Sequence, residues 1–353
     1  MNRTLQTRHQ RATNGANPLG RALPPILLLS ASLLVTACGG GGAPQSVAPG
    51  GEPTLAERTT AASATARNNA TCQPNVITPF YWEIGDRDGL LASGSVGSSA
   101  PTRQSTMNVA SASKWIYAAY VVQKRGARAE DVPYLNFTSG YTEFGVPLCI
   151  GADNVQACLA GRGGYNPANL GKFYYDSGHM QQHAVALMGL GALDNLALGT
   201  EVNTTLGTAG LIYTQPQLAG GVNTSTVSYS AFLRKILRGE LTIGSLLGTS
   251  AVCTNPASCP TAVHTPNPTS EDRQYSLGHW VESDPVIGDG AFSSAGAFGY
   301  YPWIDAAKSY YGVLARESNF ESEAGFNSAR CGRLIRQAWV TGVEVTGTTP
   351  TPR

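Results

Sequence analysis

Charge is scarce in this chain of 353 residues: Asp, Glu, Lys and Arg together make up 13%, and the formal net charge is +1. A formal charge so close to neutral gives no electrostatic reason to expect nucleic acid as a partner, and none is expected. Lysine is rarer still, with five among 24 basic residues, so each lysine carries weight as a chemical candidate. No Gly-x-Ser-x-Gly occurs, which argues against the nucleophile elbow of an α/β-hydrolase. No Cys-x-x-Cys occurs either, which disfavours a structural zinc site. The one pronounced apolar run, Ile26 to Val35, is too short to span a bilayer.

That run has a different reading. Arg3, Arg8, Arg11 and Arg21 precede it and Val35-Thr36-Ala37-Cys38 closes it, the pattern of an export signal. The closing tetrapeptide resembles the lipobox of bacterial lipoproteins, in which the cysteine is acylated and becomes the mature N-terminus. Residues 1–38 are therefore expected to be a lipoprotein signal peptide with Cys38 as the lipid anchor. The protein would then lie in the bacterial cell envelope, as an outer-membrane lipoprotein held to the membrane by that anchor. Residues 39–70, rich in Gly, Ala, Pro, Ser and Thr, offer little surface to bury and are expected to be a flexible linker. The folded domain is expected over 71–345, with a short tail at 346–353.

Setting Cys38 aside leaves six cysteines, an even number suited to an oxidising compartment. Six allow fifteen pairings. The short spacings suggest Cys149 with Cys158 and Cys253 with Cys259, which leaves Cys72 with Cys331 to join the two ends of the domain.

Phe80 to Ile84 and Leu90 to Gly94 flank Asp86-Arg87-Asp88-Gly89, a hairpin signal. Helical periodicity follows from Ser111, over 181–190 and over 227–238. Strand patterns return at 274–282, 296–304 and 309–315, before a closing helix at 330–341. Strands at both ends with helices between them predict an α+β fold: an antiparallel sheet built from both chain ends, flanking helices, and a mainly helical subdomain inserted at about 126–268.

Within Asn108-Val109-Ala110-Ser111-Ala112-Ser113-Lys114, Ser111 and Lys114 stand one helical turn apart, and no other lysine has a serine three positions before it. A serine hydroxyl becomes a nucleophile when a neighbouring base takes its proton, and a lysine kept neutral by burial is such a base. Residues three apart on a helix meet, so this spacing supplies the contact locally. Further polar clusters are Tyr175-Asp176-Ser177, Tyr275-Ser276-Leu277-Gly278-His279, and Ser294-Ala295-Gly296 leading to Trp303-Ile304-Asp305.

In order and spacing these elements resemble the serine β-lactamase and penicillin-binding-protein superfamily, in particular its class C-like branch of esterases, D-peptidases and oligomer hydrolases. The resemblance spans about 75–340 and implies a β-lactamase/transpeptidase-like fold without a cofactor. It further implies an acyl-enzyme on Ser111, Lys114 as general base, and Tyr175 relaying the proton to the leaving group of an ester or amide substrate, small or oligomeric. The oxyanion would lie between the backbone N–H groups of Ser111 and Ala297, with Ser177, Ser294, Ala295 and Gly296 lining the substrate site. Two positions depart from the family. Ser294-Ala295-Gly296 stands where Lys-Thr-Gly or His-Thr-Gly is common, and Ser177 replaces an asparagine, so the usual partner for a substrate carboxylate is missing.

Two rival readings accompany this one. His179 and His183 have the His-x-x-x-His spacing of zinc peptidases, but Met180 stands where the catalytic glutamate would follow. The altered second and third motifs also fit a penicillin-binding-like protein with weak catalysis.

Overall fold

The computed structural model describes residues 51–145, 149–162, 164–319 and 321–350. The export segment and Cys38 lie outside them. Among the described residues no helix is long and apolar enough to cross a membrane.

An eight-stranded antiparallel sheet forms the centre: β1 (Phe80–Gly85), β2 (Leu90–Val96), β3 (Val252–Cys253), β4 (Gln274–Ser276), β5 (His279–Val281), β6 (Phe292–Ser293), β7 (Tyr301–Ile304) and β8 (Tyr311–Ala315). Their order is β2-β1-β8-β7-β6-β5-β4-β3, so the N-terminal hairpin is paired directly to the last strand, Tyr81 opposite Ala315 and Ile84 opposite Gly312. The sheet is thus built from both chain ends, as expected. The β1–β2 turn is closed by Asp86, whose Oδ1 accepts from the N–H groups of Asp88 (2.8 Å) and Gly89 (2.9 Å).

Both faces of the sheet are covered, because side chains along a strand alternate between them. Phe80, Trp82, Ile84, Tyr301, Trp303 and Leu314 pack under α1 (Leu55–Asn68) and α6 (Ala324–Thr341). On the other face Tyr81, Tyr311, Val313 and Ala315 join the larger core around α2 (Ser113–Arg125) and α5 (Thr226–Leu237). Between them lie α3 (Gly178–Ala186) and α4 (Asn195–Leu206).

Helix α1 corrects the expectation of a flexible linker over 39–70, since its residues belong to the folded domain. Thr54 and Glu57 form a capping box, each side chain accepting from the other's backbone N–H (3.3 and 2.7 Å). Ala61, Ala62, Thr65 and Ala66 are buried, and Arg58 donates to the last carbonyls of α6, Trp339 O and Val340 O, both at 3.1 Å. Small residues let two helices approach closely, so an Ala- and Thr-rich segment that looks too polar for a core still docks. The tail is tied as well: Asn69 Nδ2 donates to Val345 O and Gly347 O.

All three expected disulfides are present, Cys72–Cys331, Cys149–Cys158 and Cys253–Cys259. The inserted region is less purely helical than expected. Besides its helices it holds a pairing of Ser139–Glu143 with Gly164–Leu170, a parallel bridge of Phe173–Tyr174 to Ala262–His264, and the strands Val222–Ser225 and Ile212–Tyr213, the former paired with Thr106–Asn108 from before the insert. The expected strand over 274–282 is a hairpin, because Leu277 and Gly278 both adopt positive φ (40° and 78°) and turn β4 back as β5. Gly278 is needed for a second reason: a Cβ there would lie 2.5 Å from Lys114 O. The hairpin therefore rests directly on α2.

Candidate active site

Ser111 sits on a short 3₁₀ turn, Ala110–Ala112, immediately before α2. The turn is reached through Ala110 with φ of 43°, a conformation that costs a residue with a Cβ about 1–2 kcal/mol. Two contacts hold it: Asn108 Oδ1 accepts from Ala110 N at 2.7 Å, and Gly296 lies flat against the preceding peptide, where any Cβ would come within 2.1 Å of Val109 O. Gly296 thus lets the segment between β6 and β7 touch the nucleophile turn. That contact brings Ala297 to the edge of the same cleft as Ser111.

Lys114 Nζ lies 2.8 Å from Ser111 Oγ and 2.9 Å from Ala219 O, with its side chain buried. Burial disfavours the ammonium and pulls the pKa down to about 7, against a smaller opposing pull from the Asp176 carboxylate. A neutral amine has N–H groups to donate and one lone pair to accept with. Donation to the Ala219 carbonyl leaves the lone pair for the Ser111 hydroxyl.

Tyr175 lines the cleft beside Ser111, and its ring lies 4.9 Å from Lys114 Nζ. Burial pushes its phenol up to about 12, so it keeps its proton at neutral pH and has one to donate. The ring is clamped by stacking on Trp280 (5.5 Å between centres) and by edge contacts with Phe137 and Tyr275.

Asp176, next to Tyr175 and given no role by its sequence pattern, also lines the cleft. Its Oδ1 accepts from Gly178 N (2.7 Å) and Phe144 N (3.3 Å), and its Oδ2 from Gly145 N (3.1 Å). Burial nonetheless leaves its pKa above the usual carboxylate range. The available signal was a carboxylate directly after Tyr175 in a chain so poor in charge.

The expected substrate-binding residues divide. Ser177, Ala295 and Gly296 line the cleft around Ser111, as does the expected oxyanion residue Ala297. Ser294 does not: it is buried, and its Oγ donates to Ser111 O at 3.2 Å, so it braces the nucleophile. Behind it Ser293 Oγ donates to Glu282 Oε1 (2.6 Å), whose other oxygen accepts from Arg333 and Arg336 of α6. Those two guanidiniums hold the buried Glu282 carboxyl far below its ordinary range.

The two histidines correct the zinc alternative. His179 donates from Nε2 to Tyr174 O (3.0 Å) and accepts at Nδ1 from Ser139 (2.7 Å), and burial takes its pKa down to about 3. His183 bridges Asp131 (3.0 Å) and Tyr117 (2.8 Å) through its two nitrogens. Both rings spend both nitrogens on the fold, and among the described residues no group of three His, Cys, Asp or Glu could hold a metal.

This arrangement of sheet and helices recurs in solved structures. EstCE1, a hydrolase with promiscuous acyltransferase activity, superposes with a TM-score of 0.56 at 12% identity, over 81% of this chain and 98% of its own. The chain has the β-lactamase fold. A D-stereospecific amidohydrolase from Streptomyces shares this fold (TM-score 0.51, 13% identity, 82% and 100% covered). So does a protein of Bacteroides dorei assigned as a β-lactamase (0.52, 20%, 74% and 94%). At such identities the likeness establishes the β-lactamase fold alone. No protein-family model matches the sequence, and no curated protein matches it.

Proposed function

We propose that this protein is a serine hydrolase that cleaves esters or amides through an acyl-enzyme on Ser111. The observation that carries the reading is the contact of a buried lysine, with its pKa near 7, with a serine hydroxyl at 2.8 Å. Lys114 takes the Ser111 proton as Oγ attacks the substrate carbonyl carbon. The developing oxyanion is received by the backbone N–H groups of Ser111 and Ala297, two fixed dipoles that need no reorganisation. Tyr175, still protonated, hands a proton to the leaving oxygen or nitrogen as the bond to the acyl carbon breaks. Water then repeats the sequence and releases the acid.

The hydrolase neighbours support this reading by fold, and EstCE1 and the amidohydrolase act on acyl compounds by their names. Labelling with a fluorophosphonate and intact mass measurement tests it. Ser111 should take up one phosphonyl group, and Ser111→Ala none; a wild-type protein that stays unlabelled and turns over no ester is a binding protein instead.

We also propose that Cys38 anchors the protein to the envelope, on the basis of the basic, apolar and small-residue pattern before it. Globomycin should cause the unprocessed precursor to accumulate. Normal processing under the drug, with the protein recovered soluble, refutes the anchor.

A further inference from the structure

The segment that tethers Lys114 through Ala219 O also carries Gln217, and the fold pins the backbone on both sides of it. Gln181 of α3 donates from Nε2 to Pro216 O (2.8 Å) and to Val155 O (3.0 Å), and its Oε1 accepts from Leu218 N (3.2 Å). Gln217 O itself accepts from Gly221 N at 2.8 Å. The point from which the Gln217 side chain leaves the chain is therefore fixed.

That side chain is buried without a partner. Gln217 is 6% exposed, it lines the cleft around Ser111, and among the described residues its amide makes no hydrogen bond. The amide lies along Gly220, where an added Cβ would come 3.3 Å from Oε1 and 3.9 Å from Nε2. Gln181 shows how the same fold treats a buried amide that serves structure: both its atoms are paired with backbone groups. A desolvated amide left open weakens a fold, and a site that contains one discriminates for the ligand that completes it.

The chemistry of that ligand follows from what Gln217 offers. A glutamine amide presents an acceptor oxygen and N–H donors side by side. A secondary amide answers both at once. An ammonium would satisfy the oxygen alone, and a carboxylate the N–H groups alone, while facing Glu143 and Asp176 in the same cleft. Reach is sufficient: Gln217 is two residues from Ala219, a span of at most about 7 Å. Lys114 Nζ contacts both Ala219 O and Ser111 Oγ.

We infer that Gln217 recognises a secondary amide of the substrate, so that the preferred substrates carry a peptide-like group a few atoms from the scissile carbonyl. The inference rests on the acyl-enzyme reading of Ser111.

Two pairs of esters matched in shape test it. Ethyl N-acetylglycinate is set against ethyl 4-methylpentanoate, and 2-acetamidoethyl acetate against 4-methylpentyl acetate, which puts the amide on the acyl side in one pair and on the alcohol side in the other. With kcat/KM divided by the rate of alkaline hydrolysis, the wild type should favour the amide member of at least one pair by about tenfold or more. Gln217→Met, which keeps the length of the side chain and removes the amide, should bring that ratio close to one without lowering Tm, because no protein partner is lost. No preference in either pair, a preference that survives Gln217→Met, or a lowered Tm with both members slowed alike overturns the role of Gln217. Ethyl glycinate favoured over both amide esters would assign the position to an ammonium and overturns it too. Absence of Ser111-dependent turnover of any ester overturns the hydrolase reading instead.

Discussion

Lys114 Nζ is placed 2.8 Å from Ser111 Oγ by a helical turn, and the same nitrogen is tethered from the far side by Ala219 O at 2.9 Å. The first contact is local and the second spans 105 residues of chain. Together they point the lysine at one partner.

Removing either member of that pair should abolish ester turnover with the fold intact. Ser111→Ala and Lys114→Ala are each expected to lower kcat by at least a thousandfold, and the double variant to be no worse than the singles, because nucleophile and base act as one unit. Tyr175→Phe should be milder. Steady-state rates alongside circular dichroism check this, and a Ser111→Ala protein with wild-type turnover would place the nucleophile elsewhere.

The pH profile follows from the buried lysine. Its neutral form is the base, so kcat/KM should rise as pH passes through about 7 and then level off. The Asp176 carboxylate favours the ammonium, so its removal in Asp176→Asn should lower the lysine pKa and move the rising limb to lower pH. A limb that moves upward or not at all contradicts the electrostatic role of Asp176.

Anionic substrates should fare badly. Among the described residues the cleft offers Lys114 as its one cationic side chain, beside the carboxylates Glu143, Asp176 and Glu323. A buried carboxylate without a cationic partner loses a charge-assisted contact worth a few kcal/mol, or about a hundredfold or more in specificity. p-Nitrophenyl butanoate should therefore be hydrolysed with kcat/KM at least a hundred times that for a cephalosporin. A cephalosporin turned over as fast as the ester would contradict this. Because Ser294 braces Ser111 O, Ser294→Ala should slow turnover of neutral esters too.

The bond between Cys72 and Cys331 closes a sequence separation of 259 residues and clamps the start of the domain to α6. The chain-entropy model assigns such a loop about 5.5 kcal/mol. Replacing the pair by alanine should lower Tm by several degrees or more, and replacing the shorter pairs should cost less. Thermal scans and non-reducing peptide maps check both statements.

What the sequence by itself determined is local. The Ser111–Lys114 contact follows from three-residue helical spacing, the β1–β2 hairpin from the Asp-Gly turn, and the two short disulfides from proximity along the chain. The capping box at Thr54 and Glu57 was equally legible, but the alanines and threonines behind it masked a helix whose burial is created by α6. Tertiary structure decided the rest. Lys114 acquires its low pKa from burial among segments distant in the chain, Tyr175 and Ala219 among them, the Asp176 carboxylate is fixed by N–H groups of Phe144, Gly145 and Gly178, and Ser294 is turned from a substrate contact into a brace by its distance from Ser111 O. Likewise His179 and His183 share a helix but lose their ligand capacity to Ser139, Tyr174, Tyr117 and Asp131. Spacing along one helix is written in neighbouring residues; desolvation and the partners of a buried polar group depend on which distant segments the fold brings to it.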